Sequence, residues 1–277
     1  MGRIGVRVRY SPQHVRTTRD PVSIVSSLVI ALQSFVVIFG SALLGMFVRR
    51  FLPEHHLHDD TRDTVKLGAG LIATLAALVL GLLVGSAKNS FDSVNAGITQ
   101  AAVRVILMDR TLARYGPEAH DAREQLRRGF AASIEAAWPD QKTGVSGLTA
   151  IERSNAIETL QETIEKLRPA SELQRSLHAR LRELADDMAH ARWLVVEQQR
   201  IGLPTILLVV LVLWLAILYG TFGLFAPRNA TVIVVLLVCA LSAAAALFLI
   251  LELNRPLEGM IKASRAPMVN ALEQLGR

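Results

Sequence analysis

The chain has 277 residues, 51% of them hydrophobic and only 19% charged, with a formal net charge of +6 and a mean hydropathy of +0.36. Soluble domains carry nearer a quarter charged residues; here the charges also cluster between long uncharged windows, which points to a membrane. The basic balance does not imply nucleic acid, because aromatic residues are few and no basic–aromatic interleaving or zinc-finger spacing occurs, and the single cysteine, Cys239, excludes an intrachain disulfide.

Residues 1–21 read as a basic, polar N-terminal tail. The apolar stretch after it is too long for a signal-peptide core and has no small-residue cleavage site, so a retained first helix is expected. Four windows lack any charged side chain: 22–48, 67–87, 201–227 and 229–251. A bilayer core of ~30 Å needs about 20 helical residues, and each window is long enough to cross. The expected fold is all-α, a polytopic membrane protein. Its parts are a first transmembrane hairpin (22–87), a cytoplasmic helical domain (88–200), a second transmembrane hairpin (201–251) and a C-terminal tail (252–277).

Between the first two spans lies Pro53-Glu54-His55-His56-Leu57-His58-Asp59-Asp60. His55, His56 and His58 are weak metal-ligand candidates, since imidazoles and carboxylates suit zinc or nickel. The stretch lacks the His-Glu-x-x-His spacing of zinc hydrolases, and its acidic residues equally suit the positive end of the helix that follows.

The second span carries small residues at strict four-residue steps: Ala73, Ala77, Gly81 and Gly85. Such a seam lets helix backbones approach closely in lipid, so this helix is expected to be covered by protein, from another span or another subunit. No ionisable residue lies near a span centre; Gln33, Ser34, Thr74 and Ser242 are the main polar candidates. Hydroxyls in spans usually bond to their own backbone.

Beyond Lys88 the helix is expected to continue unbroken. Phe91, Val94, Ile98, Ala101, Val105, Met108 and Leu112 recur at a 3.5-residue period until Tyr115-Gly116-Pro117, where glycine can cap and proline cannot continue. Leu177, Leu181, Leu184, Met188 and Val195 repeat that period before the third span, and Ser171 with Gln174 forms a capping-box pattern. Two shorter helical patterns, Pro117 to Trp138 and about Thr149 to Leu167, flank the glycine-containing QKTGVSG. These four segments predict a four-helix bundle joined directly to the spans, with an extended coiled coil as the alternative the spacing also fits. At the end of the last span, Glu252 precedes Asn254 and Arg255, and suits either an interfacial ion pair or a pore mouth.

An even number of spans puts both termini and the middle segment on one side. Near the membrane that side holds twelve Lys and Arg against five in the two short loops, which predicts cytoplasmic termini and a cytoplasmic middle domain. Arg49 and Arg50 run against this asymmetry. No Walker, Rossmann, G-x-S-x-G or kinase pattern occurs, so neither an enzyme activity nor a cofactor is expected.

The segments KLGAGLIATLAALVLGLLVGSAKNSFD, PEHHL, LMDRTLARYGPEA, FGLFAPRNATVIV and ELNRPLEGMI together resemble the bestrophin-like domain-of-unknown-function family of bacterial membrane proteins. The resemblance runs from about Ala42 to the C-terminus. Bestrophins are pentameric anion channels, so it implies a homo-oligomer in the bacterial inner membrane with the second span lining a central pore. Small inorganic anions are the implied cargo. The calcium gating of the animal proteins is not implied, because no acidic cluster resembles their calcium clasp. The alternative expectation is a non-conducting scaffold or sensor acting through the cytoplasmic bundle.

Overall fold

The structure is a computed structural model and describes residues 22–51, 59–138, 148–149, 152, 155–198, 205–227, 229–257 and 259–276. The described residues form eight α-helices: α1 (Val22–Val48), α2 (Asp59–Tyr115), α3 (His120–Ala137), α4 (Ala156–Glu165), α5 (Glu172–Gln198), α6 (Thr205–Phe225), α7 (Ala230–Leu253) and α8 (Ala266–Gln274). α1, α2, α6 and α7 are each long and apolar enough to cross a membrane. The 57 residues of α2 make a rod about 85 Å long at the standard rise, which leaves the membrane and becomes the spine of a second, water-facing bundle.

In the membrane unit, helices adjacent in sequence are not the main packing partners. α1 and α2 each pack against both α6 and α7, so the pairs within each hairpin sit across from one another. The closest crossing joins α1 to α6. A Cβ on Gly45 would overlap the Gly220 carbonyl oxygen, and one on Gly223 would overlap the Ala42 carbonyl oxygen. Only glycine allows this approach. Ile38, Ala42, Leu211, Leu218, Leu236, Ala240 and Leu247 fill the core around it. At the end of the unit remote from the bundle, Arg49 donates from Nη1 to the Ala226 carbonyl oxygen at 2.5 Å, capping a carbonyl just past the end of α6.

The bundle core is built on the α2 stripe Ala102, Val105, Met108, Leu112 and Tyr115. α3 contributes Leu126, Phe130 and Ile134, α4 contributes Leu160 and Ile164, and α5 contributes Leu177, Leu181 and Leu184. α2 ends where its sequence predicts: Gly116 takes φ 126°, and a 3₁₀ turn at Pro117–Ala119 leads into α3. The N-cap half of the capping box at α5 is present, and the reciprocal bond reaches one residue further back. The Gln174 N–H donates to Ser171 Oγ at 3.1 Å, and its side chain accepts from the Ala170 N–H and donates to the Tyr115 carbonyl. One amide thus ties the start of α5 to the end of α2. The QKTGVSG segment lies outside the described residues.

α8 is an element the sequence patterns above do not include. Met268, Ala271 and Leu275 bury one face of it against α2 and α3, so part of the expected tail belongs to the bundle. Beside it Asp109, 1% exposed on α2, accepts a two-pronged ion pair from Arg123 of α3, with Nε–Oδ1 2.6 Å and Nη2–Oδ2 2.9 Å. This fork raises the Arg123 pKa through its hydrogen bond to Asp109, opposed by partial burial. Gly276 also directs its N–H to Asp109 Oδ2 at 3.5 Å, a long contact that places the chain end over the pair.

Two substitutions test the membrane packing and a third tests the bundle. Gly223→Ala forces a methyl into the Ala42 carbonyl and is expected to cost about 1–3 kcal/mol, read as a lowered melting temperature in detergent. Gly85→Ala, whose added methyl would meet no atom within 4 Å, leaves the protomer's melting unchanged. Asp109→Ala removes the buried two-pronged ion pair that joins α2 to α3 and is expected to cost on the order of 3 kcal/mol. Equal melting of Asp109→Ala and wild type would exclude that role for the pair.

Candidate functional site

α2 packs through one narrow stripe. Within the membrane its buried positions are Ala69, Ala76, Leu83 and Ala87, with Ile72, Ala73, Val79 and Leu80 half-covered. The rest of its circumference is exposed among the described residues. Leu71, Leu78 and Leu82 are 71%, 70% and 64% exposed. Of the small seam, Ala73 lies at the margin of the core, whereas Ala77, Gly81 and Gly85 are exposed. A Cβ on Gly81 or Gly85 would meet no atom within 4 Å. The seam therefore turns away from the chain's own helices, and the sequence-predicted close approach inside one chain is made instead by Gly45 and Gly223.

Past the membrane the same open face becomes polar. Lys88 pairs with Asp92 one turn on, and Asn89, Ser93, Thr99 and Gln100 are exposed. Ala96, Thr99, Gln100, Val103 and Arg104 line a shallow depression on it. One helix face thus runs from leucine and glycine in the membrane to hydroxyl, amide and guanidinium groups outside it.

The polar groups of the spans are mostly self-satisfied. Ser34, Thr74 and Ser242 donate to the carbonyls of Ile30, Gly70 and Val238 at 2.8–2.9 Å, bonds within their own helices. Glu252 is different. It is fully buried at the bundle-side end of α7, folded under the turn that follows. Its Oε2 accepts from the Met260 N–H at 2.5 Å, while Oε1 has no hydrogen-bond partner among the described residues. A Cβ on Gly259 would meet that carboxylate at 2.5 Å, so a larger residue there would have to displace the Glu252 side chain. The structure thus brings Glu252 to a turn of its own chain and not to an open surface. The sequence signal for this is present in Glu252-Leu253-Asn254-Arg255-Pro256 and Gly259, acid then turn formers.

His55, His56 and His58 lie outside the described residues. Among the described residues no cluster of histidine, cysteine or carboxylate side chains could hold a metal ion. Cys239 is exposed on α7.

The helical arrangement matches solved membrane proteins. Two single-substitution variants of a bacterial bestrophin homologue from Klebsiella pneumoniae superpose with TM-scores of 0.66 and 0.65, each at 14% identity. They cover 88% and 89% of this chain and 97% of their own. A further structure, described as a membrane protein, superposes with a TM-score of 0.66 at 13% identity over 88% of this chain and 96% of its own. These likenesses establish the fold. A search of curated proteins finds no significant match. The sequence itself matches the Bestrophin-like domain model over residues 35–268, starting slightly before the resemblance read from the motifs, within α1, and covering the other three membrane helices. The chain belongs to the Bestrophin-like family.

Proposed function

We propose that the chain is one subunit of an oligomeric, bestrophin-like anion channel in which the open face of α2 from each copy surrounds a central axis. The carrying observation is that face itself, exposed among the described residues through the membrane and for several turns beyond it. Four helices with no polar interior cannot enclose a watery path alone, so the path needs several copies. Closed rings are the ordinary way identical subunits assemble, and the family resemblance implies five copies.

In this reading Leu71, Leu78 and Leu82 form an apolar constriction of the type that gates by dewetting. Ala77, Gly81 and Gly85 allow neighbouring α2 helices to approach. Arg104 in each copy places a ring of guanidinium groups in the polar section, the sign that favours small inorganic anions. Glu252, buried in its own chain, acts as a brace for the turn after α7. The orientation that fits is the one predicted from charge, with the bundle and both termini in the bacterial cytoplasm.

A second reading rests on Val103 and Leu107, which are 51% and 47% exposed on α2 outside the membrane. In a ring they meet the neighbouring subunit; in a non-conducting scaffold or sensor they would hold a partner protein.

Purified protein in planar bilayers under a chloride gradient is expected to pass current that reverses near the anion equilibrium potential. Arg104→Glu is expected to move the reversal potential towards that of the cation. Silence across pH, voltage and calcium, or a monomeric mass in detergent, rejects the channel. Specific capture of a protein partner lost in Leu107→Asp, in a chain that stays silent, supports the scaffold.

A further inference from the structure

Arg49 and Arg50 lie at the membrane end remote from the bundle, where they oppose the chain's charge asymmetry. Beside them the α1–α6 crossing leaves a groove. Gly45 and Gly220 draw the backbones together, while Leu44, Val48, Ile217 and Leu224 stand away from the contact as walls. The groove has a volume of about 390 Å³ and opens on the lipid-facing surface of the membrane unit. Its floor is apolar in effect. The two hydroxyls in it, Ser41 and Thr221, already donate to the carbonyls of Ile38 and Leu218, each at 2.7 Å.

The groove's open end carries charge. Arg49 is pinned beside Leu224 by its bond to the Ala226 carbonyl, which uses one of the five guanidinium N–H donors. Arg50 is exposed and makes no side-chain hydrogen bond among the described residues. Phe47 and Phe51, both well exposed, stack edge to face at 5.3 Å in the same turn, the aromatic placement of a membrane–water boundary.

We propose that an anionic phospholipid occupies this groove, one acyl chain lying between Leu44 and Ile217 and its phosphate held by Arg50 with Arg49. An apolar groove facing hydrocarbon is filled by an acyl chain, and the planar fork of arginine suits phosphate oxygens at the level of the headgroups. The site also accounts for two arginines on the side the charge bias disfavours. It is independent of whether the chain conducts.

The test uses the full chain, delipidated in detergent and titrated with phosphatidylglycerol, with phosphatidylcholine, or with inorganic phosphate. Thermal unfolding and native mass spectrometry are the readouts. Phosphatidylglycerol is expected to raise the melting temperature and to remain bound, phosphatidylcholine to do so less, and phosphate to do neither. Arg50→Gln, an exposed change that leaves lipid-free melting intact, is expected to weaken phosphatidylglycerol about tenfold, the loss of one charge-assisted hydrogen bond. Ala216→Phe fills the groove and is expected to reduce retention of both lipids. Wild-type titration by Arg50→Gln, unchanged lipid retention in Ala216→Phe, or stabilisation by phosphate alone overturns the proposal.

Discussion

One continuous helix must satisfy two solvents, and the rest of the fold follows from how α2 does so. Its buried stripe is made of small residues inside the membrane, Ala69, Ala76 and Ala87 beside Leu83, and of large ones outside it, Val105, Met108, Leu112 and Tyr115. The difference has a physical cause. Lipid tails compete with leucine for apolar contact, so helices in the membrane associate by backbone proximity and close packing. Water does not compete, so burying large apolar side chains contributes about 1.5–3 kcal/mol each to the outer bundle. The change of residue size along one stripe marks where the solvent changes.

The same contrast explains which features are legible in the sequence. Periodicity and punctuation act locally, so the four spans, the unbroken passage of α2 to Tyr115, the stop at Gly116 and the Ser171–Gln174 cap can all be read from spacing. The predicted positions Ile98, Ala101, Val105, Met108 and Leu112 all meet the core, and Ala102 is buried beside Ala101, so the stripe is wider there than the spacing alone. Small residues announce that something approaches closely and do not say what. The regular seam on α2 faces out of the chain, and the intimate crossing joins Gly45 to Gly220 and Gly223 to Ala42, far apart in the sequence with no shared pattern to connect them. Arg123 and Asp109 are likewise ordinary charges until folding places them together. α8 does carry a signal, with Pro267 in its first turn and apolar residues at Met268, Ala271, Leu272 and Leu275, but nine residues of pattern are weak evidence beside twenty-residue spans.

Two buried carboxylates that take no part in the spacing patterns lie at the two ends of one segment. Glu252 holds the Met260 N–H at the end of α7, and Asp109 lies against the Gly276 N–H on α2. Between these two points runs the whole C-terminal segment, with Met268, Ala271 and Leu275 sunk in the bundle core. A buried carboxylate is costly unless hydrogen-bonded. Glu252 is bonded to the turn that covers it, whereas Asp109 is held by Arg123 and meets Gly276 only in a long contact, so the far end of the segment is held by its buried apolar residues. The segment is therefore a strap. Its start is fixed to a membrane helix and its end to the bundle.

That strap gives the membrane unit and the bundle a second mechanical link besides α2. A displacement of α7 that leaves α2 in place must either carry the 255–260 turn with it or break the Glu252 bond and expose a buried carboxylate. The open face of α2 belongs to the helix that both units grip, and α8 packs against that same helix outside the membrane. Lipid in the α1–α6 groove acts at the opposite end of the same unit, where α1 and α6 meet, away from the strap. The two ends of the membrane unit are thus built differently, with a strap packed on α2 near the bundle and an apolar groove between α1 and α6 away from it.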